Sequence, residues 1–67
     1  MSVADRLIEI ENETDLTRAR ALLGQEGTAA AAIVSRAADA ESPERIDELL
    51  ADLDRIRAMC EAVKAKL

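Results

Sequence analysis

Ile46, Leu49, Leu53, Ile56, Cys60, Val63 and Leu67 follow one another at alternating steps of three and four residues. That spacing gathers them into one narrow stripe along a helix, the seam of a coiled coil or of a packed helical pair. Counting the repeat from Ile46 puts Ile46, Leu53, Cys60 and Leu67 at position a, and Leu49, Ile56 and Val63 at d. Leu50 and Met59 flank the stripe and widen it, which suits a packed bundle better than a strict two-stranded coil. The helix has a marked start: Ser42 can cap with its hydroxyl, and Pro43 fits the first helical position, where a missing N–H costs nothing. Glu44, Asp47 and Glu48 near the beginning, and Lys64 and Lys66 near the end, complement the helix dipole. These signs predict a helix over residues 43–66.

The central segment repeats the spacing more weakly in Leu16, Ala19, Leu23, Glu26, Ala30, Ile33, Ala37 and Ala40. The phase survives passage through Gly24-Gln25-Glu26-Gly27. That favours one long helix over residues 15–40, weakened in the middle by glycines that cost roughly 1 kcal/mol each relative to alanine. The rival reading ends a helix at Leu23, caps it with Gly24 and restarts at Thr28. Only Glu41-Ser42 separates this segment from the C-terminal helix, and so short a connection makes antiparallel neighbours. The packing seam of the resulting hairpin comprises Leu16, Leu23 and Ile33 with the seven positions of the opening stripe. Leu16 and Leu23 would lie level with Cys60, Val63 and Leu67.

The first residues differ. Ser2 with Asp5 three positions on resembles a capping box with Asp in place of Glu. Val3, Leu7 and Ile10 form a short stripe, with Ile8 on another side, which predicts a helical segment over residues 3–11. Its phase does not match the central stripe, and Glu11-Asn12-Glu13-Thr14-Asp15 intervenes. Two uses stay open for Val3, Leu7, Ile8 and Ile10: contact with a second copy or a partner protein, or folding back onto the end of the hairpin. The fold class is therefore all-α, a single domain over residues 1–67, expected to assemble as a dimeric helical bundle.

Composition strengthens the case for assembly. Ordering 67 residues costs on the order of 100 kcal/mol at roughly 1.5 kcal/mol each. The chain has no Phe, Tyr or Trp to offset this with large buried areas, and much of its apolar content is alanine. Self-association is the usual remedy. Nine basic residues against fourteen acidic ones give a net charge of −5, which argues against a surface for nucleic acid or anionic membrane. Arg18 with Arg20, and Arg55 with Arg57, are the small basic clusters that a nucleic-acid regulator would have to bring together. The lone Cys60 allows no intrachain disulfide, and no apolar run approaches the ~20 residues that span a bilayer. Ser2-Val3-Ala4-Asp5-Arg6 lacks the basic-then-apolar pattern of a secretion signal, so a cytoplasmic, membrane-free protein is expected. Asn12-Glu13-Thr14 then matches the glycosylation pattern by chance.

Candidate chemistry is sparse. There is no histidine. Cys60, with Arg57 and Lys64 one turn away, reads as a small seam residue and not as a nucleophile. Glu9 with Glu13, and Glu44 with Glu48, lie off the stripes and lack the Glu-x-x-His partners of bundle metal sites. Glu26 is the one acid on an inner stripe; the favoured reading sends it to solvent where the glycines interrupt the helix, ahead of setting register or meeting an arginine. Gly24-Gln25-Glu26-Gly27 lacks the Lys-Ser/Thr ending of a phosphate loop. No catalytic, cofactor-binding or metal-binding residue is assigned. The expected function is a non-enzymatic protein-binding module of the inhibitor, masking-factor or chaperone type, acting as a homodimer. The alternatives are a structural oligomerisation subunit and, behind it, a nucleic-acid-binding regulator.

Overall fold

A computed structural model describes residues 2–67. Four helical elements follow in order: α1 (Val3–Asn12), α2 (Leu16–Gly24), α3 (Gly27–Asp39) and α4 (Pro43–Lys66). Among the described residues there is no strand. Three of the four helix starts carry a side-chain cap, at Ser2, Asp15 and Ser42, and the residues suggest the first and the last of these. Ser2 Oγ accepts from the Asp5 N–H at 3.1 Å, and Asp5 answers by accepting from the Ser2 N–H. Asp15 accepts from the Thr17 N–H at 2.9 Å and opens α2. Ser42 accepts from the Arg45 N–H at 3.2 Å, with Pro43 in the first helical position of α4. Each such cap satisfies a donor that the helix itself leaves free.

The long central helix expected over residues 15–40 is bent, with α2 and α3 as its two limbs. The rival reading is met in outline, two helices with ends one residue from those expected, but not in its cap, because Gly24 stays inside α2 and α3 restarts at Gly27. No described residue adopts positive φ, so no left-handed glycine cap is used. Gln25 (φ −67°, ψ −16°) and Glu26 (φ −87°, ψ 0°) remain near helical geometry. The Gln25 N–H still reaches the Ala21 carbonyl, whereas the Glu26 N–H reaches only three residues back, to Leu23, at 3.0 Å. One tightened turn thus redirects the axis without opening a loop.

A methyl group at Gly24 or Gly27 would meet nothing within 4 Å, and neither φ is positive. Gly24→Ala and Gly27→Ala are each expected to stabilise by about 0.4–1 kcal/mol, chiefly by restricting the unfolded chain. A thermal melt checks this; a lower midpoint in either variant would show that the bend needs glycine.

The core sits at one end. Ile10, Ala19, Leu22, Met59 and Val63 form a buried cluster, with Val3, Leu7, Leu16, Leu23, Ile56 and Ala62 packed around it. Here α1 and α2 both lie against the C-terminal half of α4. Towards the α3–α4 turn the molecule thins to two helices, held by the buried Ile33 and Leu49. The three-residue turn at Ala40-Glu41-Ser42 makes α3 and α4 antiparallel.

The seam on α4 is rotated from the sequence expectation. Leu49 and Val63 are buried, and Leu53 and Ile56 are half-buried, but Ile46, Cys60 and Leu67 are exposed. Met59, a flank of the expected stripe, is fully buried instead. The reason is α1. It covers the Met59 flank, so the buried arc of α4 turns towards α1 and away from Cys60.

Candidate binding surface

The two helices of the arm share a simple geometry. Ile33 and Leu49 are buried between them, and the residue after each is bare: Val34 is 61% exposed and Leu50 54%. One residue turns a helix by about 100°, and on antiparallel helices that step leads to the same side of the pair. Val34 and Leu50 therefore share one side of the hairpin. On α3 that side presents Ala30, Ala31, Val34, Ala37 and Ala38, with no charge among them; on α4 it presents Ile46, Leu50 and Leu53, with Asp47 and Asp54 along its edge. α1 packs on the opposite flank of α4, that of Met59. Its centre is apolar because its residues are, and among the described residues nothing reaches across it.

Of the residues read from the sequence as partner contacts, Val3 and Leu7 pack around the core and Ile10 is completely enclosed. They fold back onto the end of the hairpin, the second of the two uses left open for them. Ile8 alone of the four stands out to solvent. Val34 is the surface residue that sequence reading did not single out; its signal was its place directly after Ile33 on a face otherwise made of alanine.

Glu26 does not simply reach solvent. It accepts from Arg6 Nε at 2.8 Å, and both side chains are largely covered, at 12% and 17% exposure. Arg6 also reaches Glu9 at 3.3 Å. This pair ties the start of α1 to the bend between α2 and α3, so Glu26 meets an arginine of its own chain.

Among the described residues three of the four arginines of the basic clusters are ion-paired, Arg20 being the exception. Arg18 lies 2.9 Å from Glu13, Arg55 2.7 Å from Asp52 and Arg57 3.0 Å from Asp54. Carboxylates so placed compete with any phosphate for the guanidinium groups. Cys60 is a free thiol on the surface. Among the described residues no group of three or more Cys, Asp or Glu side chains is placed to hold a metal ion, and no pocket indents the surface. Among the described residues no helix is long and apolar enough to cross a membrane. Among the described residues the geometry thus offers a partner a side with an apolar centre, shaped to lie against another helical surface.

Comparison with known proteins finds no match to a family model, to a curated protein or to a solved structure.

Proposed function

We propose that this protein is a small non-enzymatic binding module that acts in the cytoplasm by docking an apolar helix face on protein. A homodimer is its working form, and masking, inhibition or holding a partner soluble is its mode of action. The observation that supports this most is the bare side of the α3–α4 hairpin, where Val34, Ile46 and Leu50 stand exposed on an arm only two helices thick. Apolar side chains grouped on one face at helical spacing are what helix-on-helix recognition uses.

The test is capture from native lysate with tagged wild type beside Leu50→Asp. Wild type is expected to retain a stoichiometric protein that Leu50→Asp loses. Ile8→Asp, on another part of the surface, should retain it. Capture of the same proteins by wild type and Leu50→Asp would remove the hairpin face from the binding reaction.

A further inference from the structure

The bare side has its own complement. We propose that it is covered by the same side of a second copy, with the two α4 helices antiparallel about a two-fold axis level with Arg55. This names the partner for the apolar face and rests on the binding-module reading.

Charge distribution along α4 sets the direction. Residues 43–54 carry five acids against one base, net −4, and residues 55–66 carry four bases against one acid, net +3. Antiparallel apposition lays the acidic half of each α4 on the basic half of the other. Parallel apposition would set like on like at both ends, which costs rather than stabilises.

Spacing sets the register. Ile46, Leu50, Leu53, Arg57, Cys60 and Lys64 follow at steps of four, three, four, three and four, a series that reads the same in both directions. Reversed about its centre it falls on itself, as an isologous contact requires. Leu50 then faces Cys60 of the second copy, and Leu53 faces the aliphatic stem of Arg57 of the second copy. Asp47 and Asp54 lie one residue beyond Ile46 and Leu53, which brings them beside Lys64 and Arg57 of the second copy.

Area is sufficient. The 24 residues of α4 give a face roughly 36 Å long and, with the α2–α3 limbs alongside, two helices or about 20 Å wide. Pairing it covers roughly 700 Å² per copy and about 1,400 Å² in all, within the range of stable specific interfaces. The isolated chain exposes 4497 Å², more than the about 4,100 Å² typical of a compact monomer of this mass. Close approach is eased by alanine, which supplies four of the five α3 residues on this side.

The experiment combines sedimentation equilibrium with disulfide trapping. Wild type is expected to sediment as a dimer in the micromolar range, and Leu50→Lys to raise the dissociation constant about tenfold or more, because its ammonium would sit opposite Cys60 between Arg57 and Lys64 of the second copy, like charge on like. Leu50→Lys should keep its helical circular dichroism, since Leu50 is mostly exposed in the single chain. Under mild oxidation wild type should not crosslink, because antiparallel pairing holds the two Cys60 residues about 15 Å apart along the axis, beyond disulfide reach. Leu50→Cys should crosslink into a dimer, and Leu50→Cys with Cys60→Ser should not.

A wild type that stays monomeric to about 500 μM, well above the micromolar range typical of specific pairs, would overturn the self-pairing. It would leave lysate capture as the separate judge of the binding module. Ready crosslinking of wild type through Cys60 would overturn the antiparallel arrangement.

Discussion

Ile10→Ala is expected to cost about 2–5 kcal/mol, the largest effect of any single truncation in α1. Ile10 is 0% exposed and lies in the same cluster as Met59 and Val63, so removing three carbons leaves a hole between α1 and α4. A chain of this size has about 3–10 kcal/mol of stability in total. The midpoint of a thermal melt should therefore fall by roughly 10–40 °C at about 4–8 °C per kcal/mol, or the transition should vanish. Ile8→Ala is the matched control. Ile8 is two residues away in the same helix and 56% exposed, so its loss should stay within about ±0.5 kcal/mol. The two variants share helix propensity changes and differ in burial, so circular dichroism at one fixed concentration isolates the packing. Equal melts would mean that α1 does not close the core.

The helices themselves were legible in the residues. Ser2, Ser42 and Pro43 announce starts, and the structure places caps at the first two and α4 from the third; Asp15, read only as the end of a polar stretch, caps α2 as well. The three-and-four spacing gave the existence of α4 and of the central helix, and the two-residue link gave their antiparallel course. Which arc of each helix is buried was less legible. Periodicity reports a stripe about one helix wide, and the C-terminal half of α4 has to serve two neighbours at once. Met59 and Leu50 flank the stripe alike in the sequence, yet one is enclosed and the other bare. Only the position of α1 separates them, and the mismatched phase of Val3, Leu7 and Ile10 gave no direction for it. The bend was hidden for a related reason: Gln25 and Glu26 keep near-helical angles, so the phase runs on through the glycines although the axis turns. The candidate surface was legible in part. Ile46, Cys60 and Leu67 were read as seam, and their exposure follows from the same rotation that buried Met59.

Glu26→Ala is expected to cost about 1–3 kcal/mol, more than an ordinary surface ion pair, because it leaves Arg6 covered and short of an acceptor. Arg6 would retain only Glu9 at 3.3 Å. The exposed Arg57–Asp54 pair is the comparison: both of its side chains are open to solvent, and exposed pairs contribute about 0–1 kcal/mol. A double-mutant cycle of Arg6→Ala with Glu26→Ala should return a coupling of about 0.5–3 kcal/mol, against nearly nothing for Arg57→Ala with Asp54→Ala. High salt should erase the Arg57–Asp54 term first, since screening acts most on exposed charges. Replacing both partners by apolar residues, Arg6→Met with Glu26→Leu, is expected to restore most of the lost stability, as buried pairs exchanged for packed side chains often do. What that double variant should not restore is the definition of the bend. The 2.8 Å contact fixes where α1 begins relative to Gln25 and Glu26, and an apolar pair can slide. Hydrogen exchange would then rise at the amides of residues 25–28 while the Met59 cluster stays protected. Unchanged exchange there would mean that the tightened backbone turn holds the bend by itself.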